Sequence, residues 1–112
     1  MQEFKGTPGP WEIVNGGDIF GPLGGESGDG LACDETDGWQ VAEVGHYSAF
    51  VDGELVEQGA AVRKANQALL LAAPALLKAL QEVVAISDRK HEAWDRAHAA
   101  IAKALNTDTT ER

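Results

Sequence analysis

Cationic side chains cluster at two places in the second half of the chain. Arg63 and Lys64 are adjacent, whereas Arg89, Arg96 and Lys103 recur at sevenfold spacing, which places all three on one face of a helix. Guanidinium and ammonium groups bind phosphates, and the free amides at a helix N-terminus add a favourable dipole. The residues predicted to contact the phosphates of an anionic ligand are Arg63, Lys64, Arg89 and Arg96.

Aromatic side chains that can stack on a nucleobase lie in the first half, at Trp39, Tyr47 and Phe50. Stacking needs only a flat π-face and tolerates any base. Trp39 belongs to an alternating apolar stretch, which is more typical of a core residue. We therefore predict that Tyr47 or Phe50 stacks on a base from the end of a sheet. Because one small chain rarely encloses a pocket by itself, we expect the ligand site at a subunit interface.

Residue patterns typical of catalysis or metal binding are missing from the sequence. The glycine-rich stretch 24–30 lacks the lysine and the helix that follow a phosphate-binding loop. The three histidines are not accompanied by a cysteine pair or a His-Glu-x-x-His helix. The carboxylates between Asp29 and Asp37 lack the ordered alternation of a calcium loop. We predict a protein that is not an enzyme and that uses no metal or cofactor.

Cys33 is the single cysteine of the chain and is followed by Asp34 and Glu35. Neighbouring carboxylates disfavour a thiolate, so we expect the pKa of Cys33 to be raised and its thiol to be unreactive. A lone cysteine forms no internal disulfide, which fits a reducing compartment. We expect a cytoplasmic protein.

Acidic residues and glycines are concentrated in the first half. Residues 1–57 contain twelve acidic residues and one basic residue, and all 13 glycines lie between positions 6 and 59. This composition predicts a turn-rich β region over 1–57 and a helical region over 58–105, followed by a flexible tail over 106–112. Each half alone, at under about 60 residues, folds only marginally. We therefore predict one domain over 1–112.

Turn signals divide the first half into short strands. Asn15-Gly16 lies between two apolar stretches and is a hairpin signal, and Asp52-Gly53 is a second turn. We expect strands near 10–14, 18–21 and 39–44, a short strand at 31–33 and a loop over 23–30, while 47–50 is ambiguous. These elements predict an antiparallel sheet of three or four strands.

Alanine, leucine and charged residues dominate after Gly59 and predict helices over about 60–73 and 75–105. Pro74 either ends the first helix or begins the second. The heptad pattern after Pro74 has polar residues in its middle, which allows one long helix or two helices hinged near Ser87-Asp88. The predicted fold is α+β, a small N-terminal antiparallel sheet followed by a helical hairpin whose second helix is long.

An apolar stripe in the second helical segment is longer than a small sheet can cover, which predicts a homo-oligomer, either a dimer or a dimer-based assembly. Its residues are Leu77, Leu80, Val84, Trp94, Ile101 and Leu105. No apolar run approaches the roughly 20 residues of a membrane span, and the chain start lacks the apolar stretch of a signal peptide. We expect no membrane association.

Two segments resemble a widespread group of small phage and prophage proteins. These segments are Gly6-Thr7-Pro8-Gly9-Pro10-Trp11 and the helical turn from Ala65 through Ala72-Ala73-Pro74 to Leu80. Proteins of that group begin with a Thr-Pro-Gly-Pro-Trp-like stretch and carry an alanine- and leucine-rich helix around an Ala-Ala-Pro turn. The matched segments cover about a quarter of the chain, and Gln67, Leu71 and Ala75 differ from the commonest residues at their places.

Proteins with a similar order of elements, a small antiparallel sheet followed by helices, include the Thoeris anti-defence nucleotide sponges. The resemblance therefore implies a phage counter-defence protein that binds and sequesters a cyclic nucleotide in the cytoplasm of an infected bacterium. The alternatives are an acidic, DNA-mimic-like inhibitor that binds a basic host protein, or a structural or accessory phage protein. The acidic half repels nucleic acid, so we expect no direct DNA binding.

Overall fold

The computed structural model describes residues 3–45, 48–86 and 92–106. Five strands precede two helices: β1 (Glu12–Val14), β2 (Asp18–Phe20), β3 (Gln40–Glu43), β4 (Ser48–Val51), β5 (Glu54–Glu57), α1 (Ala60–Ile86) and α2 (Glu92–Ala104). The strands pair antiparallel and the two helices pack on each other. The predicted α+β class, with the sheet before the helices, is confirmed.

A three-stranded sheet in the order β1-β2-β3 forms the centre of the N-terminal half. Asn15, Gly16 and Gly17 connect β1 to β2. Asn15 and Gly16 have φ angles of 57° and 80°, so both adopt the left-handed conformation that the Asn-Gly turn signal predicts. Ile19 lies in the central strand, opposite Ile13 and Ala42. Its exposed fraction is 0%, and within the described ranges it is the one fully buried apolar side chain.

Strands β4 and β5 form a separate hairpin and do not extend the first sheet. Asp52 and Gly53 make its turn at φ angles of 51° and 84°, which confirms the predicted turn. All eight strand residues of the hairpin are exposed. The predicted short strand at 31–33 is wrong, because only Ala32 forms an isolated bridge, with Glu26.

Helix α1 continues through Pro74 and ends at Ile86, so the predicted boundary at residue 73 is wrong. A proline inside a helix removes one backbone hydrogen bond, but strong helix formers on both sides maintain the helix. The predicted segment 75–105 is divided instead: its first part belongs to α1 and its last part forms α2, so the longer helix is the first. The predicted hinge at Ser87-Asp88 lies outside the described residues.

The apolar stripe predicted to be an oligomer interface is partly buried within the chain. Its members are half-buried where α1 and α2 pack together: Leu77, Leu80, Val84, Trp94, Ile101 and Leu105. The structure therefore divides the stripe between two helices that pack on each other and leaves its side chains partly exposed. The homo-oligomer that the stripe predicts stays a prediction.

Because α1 continues through Pro74, the apolar segments on either side of the proline form one helix that is long and apolar enough to cross a bilayer. The sequence pattern does not predict this, because a proline ordinarily begins or ends a helix. Length and composition alone do not place the protein in a membrane, since long core helices of soluble proteins have the same properties.

Candidate binding groove

The N-terminal segment, residues 3–11, lies against the middle of α1. Gly9 faces Pro74 so closely that a Cβ atom on Gly9 would be 2.8 Å from the Cβ atom of Pro74. The peptide bond between Gly9 and Pro10 is cis. The two segments that carry the phage-protein resemblance therefore contact each other, although they are far apart in the sequence.

Loop residues on the other side hold this N-terminal segment in place. The Thr7 hydroxyl donates a 2.8 Å hydrogen bond to the carbonyl of Ser27, and Trp11 Nε1 donates to the carbonyl of Thr7 at 3.1 Å. Gly28 has a φ of 120°, and a Cβ atom there would be 2.5 Å from the carbonyl oxygen of Lys5. The glycine-rich loop thus packs backbone against backbone, which a larger residue would prevent.

An open groove of about 1140 Å³ lies between the N-terminal segment and α1. Phe4, Lys5 and Trp11 line one side, and Lys78 and Glu82 line the other. Glu26 and Ala104 also contribute to the lining. The volume suits a ligand of roughly drug to dinucleotide size.

Both signs of charge occur in the groove. The ammonium groups are those of Lys5 and Lys78, and the carboxylates are those of Glu3, Glu26 and Glu82. Phe4 is 39% exposed, so its ring is available to a ligand. This lining can accept an anionic group, hydrogen-bond donors and a flat aromatic surface at once.

The residues predicted from the sequence to bind an anion are dispersed. Arg63 and Lys64 lie in the first turn of α1, where the amide of Arg63 donates to the carbonyl of Gly59 at 3.1 Å. Arg63 Nε is buried without a hydrogen-bond partner among the described residues. Arg96 lies on α2 and pairs with Glu92 at 3.6 Å.

Helix geometry separates these cations within one chain. Arg63 lies about 16 Å along α1 from Pro74, at 1.5 Å per residue, and Arg96 lies about 12 Å along α2 from the groove residue Ala104. Phe50 is 74% exposed on the β4–β5 hairpin. Tyr47 and Arg89 lie outside the described residues. Within one chain, Arg63 and Arg96 therefore lie away from the groove, whereas the predicted site at a subunit interface stays a prediction.

Lys5 and Lys78, together with Phe4 and Trp11, are the groove residues that sequence reasoning missed. Because an acidic region is expected to repel phosphates, the sequence predicts phosphate-binding cations only in the helical half. Lys5 is the single basic residue of positions 1–57, and Trp11 ends one of the two resemblance segments. These two features of the sequence were the ones that could have indicated the groove.

Carboxylates in the loop after β2 organise the loop itself. Asp29 accepts hydrogen bonds from the Ser27 hydroxyl and from the amide of Leu31, and these bonds lower its pKa below the usual 3.8. Asp34 accepts from the amide and hydroxyl of Thr36, which lowers its pKa in the same way. No group of three His, Cys, Asp or Glu side chains in residues 3–45, 48–86 and 92–106 is placed to hold a metal ion.

The Cys33 thiol is half-buried and its pKa is raised above 9.0. Burial is the main cause, followed by the charges of Asp37 and Asp34. The predicted direction is confirmed, but desolvation contributes more than the acidic neighbours that motivated it. Cys33 is therefore not activated as a nucleophile.

Comparison with known proteins gives one family. The family model described as Salmonella phage P22 protein Y8K6 matches residues 1–108. No curated protein and no solved structure matches the chain. Because the family match spans nearly the whole chain, including both resemblance segments and the groove, the protein belongs to the Salmonella phage P22 protein Y8K6 family and is a phage protein.

Proposed function

We propose that this phage protein binds and sequesters a cyclic nucleotide immune signal in the groove between its N-terminal segment and α1. The observation that carries this proposal is the lining, which combines two lysines, two aromatic side chains and carboxylates around about 1140 Å³. In this role the protein acts in the cytoplasm of an infected bacterium, where it lowers the free concentration of the signal.

Each part of a nucleotide has a matching group in the groove. Lys5 and Lys78 come from opposite sides and pair with phosphate oxygens. Phe4 and Trp11 offer ring faces to a base. Glu26 and Glu82 accept hydrogen bonds from the amino and imino groups of a purine or pyrimidine. The carboxylates would oppose a simple inorganic anion, so the lining favours a ligand with both phosphates and N–H donors.

Binding without conversion is supported by the residue types of the groove. The described lining contains no histidine, cysteine, serine or threonine side chain. Cleavage of a phosphodiester commonly uses such a nucleophile or a histidine base. The groove instead offers recognition groups, which suit retention of an intact ligand.

The direct test is mass spectrometry of the denatured protein after incubation with a panel of cyclic nucleotides and removal of the free ligand. We expect one nucleotide to be released intact. Lys5→Ala and Lys78→Ala should each weaken its affinity by about 10-fold in calorimetry, at the lower end for charged contacts because both side chains are exposed.

Two further variants locate the site. Lys103→Ala removes an exposed lysine outside the groove lining and should leave the affinity unchanged. Lys64→Ala distinguishes the groove from the first turn of α1. If only Lys64→Ala weakened nucleotide affinity, the site would lie at the first turn of α1. Release of a converted product, or retention of no nucleotide, would contradict sequestration.

An acidic protein-binding role is the second candidate. Arg96–Glu92 is the one ion pair within residues 3–45, 48–86 and 92–106, so the carboxylates of the described β region form no ion pair with another described residue. Such a surface attracts a basic protein groove. Capture of a basic host protein that is lost between about 0.1 and 1 M salt, with no nucleotide retained, would favour this role.

A further inference from the structure

One face of α1 carries large apolar side chains that remain exposed. Val62, Leu69, Leu76 and Val83 recur every seven residues, and their exposed fractions are 51%, 64%, 52% and 47%. Ile86 continues the same face and is 84% exposed. These five residues, the exposed α1 stripe, extend over about 36 Å of helix.

The opposite face of α1 contacts the rest of the chain. Gln67, Pro74 and Gln81 also recur every seven residues. Gln67 Nε2 donates a 3.0 Å hydrogen bond to the carbonyl of Gly16, Pro74 abuts Gly9, and Gln81 lines the groove. Within the exposed α1 stripe, Leu69 borders an open pocket with Glu43 and Val44. The other four residues of the stripe lie on the side of α1 away from the contacts with Gly16 and Gly9.

We propose that the exposed α1 stripe is covered by α1 of a second copy of this chain. A repeat of seven residues is the spacing that two helices bury when they pack side by side. The residues between the large side chains are small, namely Ala65, Ala72 and Ala79, so the two helices can approach closely. A symmetric dimer places the same stripe on both sides, and an apolar stripe is complementary to itself.

The exposed area of the α1 stripe is close to what a dimer needs. At about 1.45 Å² per dalton for a fully exposed residue, its five side chains present on the order of 470 Å² to solvent. Two copies would together bury about 940 Å² of these side chains, which is near the roughly 1,000 Å² that a specific interface exceeds, and the intervening alanines add to it.

A second copy fits this surface better than a bilayer does. Arg63, Lys64, Lys78 and Glu82 all lie on α1. Insertion of α1 would bring these charges into or against hydrocarbon, which is costly. It would also break the Gln67–Gly16 hydrogen bond and the contact between Pro74 and Gly9.

Sedimentation equilibrium of the full chain tests the proposal. We expect a mass of about twice 11.8 kDa at tens of micromolar concentration, falling on dilution. Leu69→Glu combined with Leu76→Glu should give a monomer, because each charge would be buried against its copy. Leu23→Glu changes a leucine outside α1 that is at least as exposed, at 71%, and should leave the dimer intact.

Circular dichroism checks that the Glu variant retains its helices. If helix is lost, Leu69→Ala with Leu76→Ala replaces it, since alanine favours helix, and should raise the dimer dissociation constant at least about 100-fold. A monomeric wild type, or a dimer unaffected in the helical variant, would overturn the proposal. Flotation of monomeric wild type with phosphatidylcholine vesicles would overturn it in favour of a membrane.

Discussion

The two halves of the protein are stabilised in different ways. The half up to Gly45 is rich in glycine and charge, yet it contains the fully buried Ile19 and is joined by hydrogen bonds between loops, such as Thr7 to Ser27 and Trp39 Nε1 to Leu31. The helices contain most of the leucine and alanine, yet neither helix has a buried residue. Apolar composition therefore does not tell where the core of this chain lies.

Exposed apolar side chains are arranged differently in the two halves. In the N-terminal half they come from separate loops and strands, namely Phe4, Val14, Leu23, Leu31 and Trp39. In the helical half, one stripe is half-buried where α1 and α2 pack, and the exposed α1 stripe runs along a single helix face. The N-terminal half therefore presents separate apolar side chains, whereas α1 presents a continuous apolar surface.

The largest expected effect on stability is at Ile19. Ile19→Ala removes the one fully buried side chain of the described residues and should lower the free energy of unfolding by about 2–5 kcal/mol. Leu76→Ala, at a 52% exposed position, should cost under about 1 kcal/mol in dilute protein. Urea denaturation followed by circular dichroism measures both.

Protein concentration should affect the two variants differently. If α1 associates with a second copy, the cost of Leu76→Ala should grow as concentration rises, whereas that of Ile19→Ala should stay constant. Equal costs for the two variants in dilute protein would show that the helical half has a core of its own.

Much of the fold was predictable because it depends on local chemistry. Asn15-Gly16 and Asp52-Gly53 need positive φ angles, and both form the expected turns. The helix boundary was not predictable, since Pro74 disfavours a helix locally and only its contact with Gly9 shows how it is accommodated. Likewise, nothing local indicates that β4 and β5 form a separate sheet.

The next largest effect concerns the contact that joins the two halves. Gly9→Ala places a Cβ atom 2.8 Å from Pro74 Cβ, so the N-terminal segment must move away from α1. We expect a loss of about 1–3 kcal/mol in unfolding free energy, typical of overpacking, and a loss of ligand affinity in the groove. Denaturation and calorimetry measure these two results.

Gly45→Ala is the matched control for that variant. A Cβ atom on Gly45 meets no atom of the described residues within 4 Å, so this substitution should leave both stability and affinity close to wild type. If Gly9→Ala behaved like Gly45→Ala, the close contact with Pro74 would not position the groove.

A smaller effect is expected at the second connection between the halves. Gln67→Ala removes the hydrogen bond to the Gly16 carbonyl and should cost about 0.5–1 kcal/mol, because water can replace this exposed contact. Asn66→Ala, one residue earlier on the same helix, is the control. If both variants were equally stable, the hydrogen bond would contribute nothing to joining the halves.

The candidate site was less predictable than the fold. Arg63 and Lys64 do lie at the beginning of α1, as expected, but the groove depends on Lys5 and Phe4, which approach α1 only through tertiary contacts of the N-terminal segment. Sequence spacing can place residues on one helix face. It does not show that the N-terminal segment packs against the middle of α1.

The smallest effect tests whether the glycine-rich loop is fixed by its own hydrogen bonds. Ser27 and Leu31 bind the ionised form of Asp29 and lower its pKa below 3.8. The folded loop therefore gains stability from Asp29 above the unfolded pKa of about 3.8, and loses it as pH falls through the lower folded value.

Ser27→Ala removes the largest contribution to this shift, so the pKa of Asp29 should move back up toward 3.8. The pKa of Asp34 depends on Thr36 and should stay lowered. Carboxyl carbon chemical shifts followed by NMR from pH 6 to 2 measure both groups in one titration, roughly spanning the range over which such carboxyls ionise. An unchanged Asp29 in the variant would mean that the loop is held by its backbone contacts with Lys5 and Gly6 and not by this side chain.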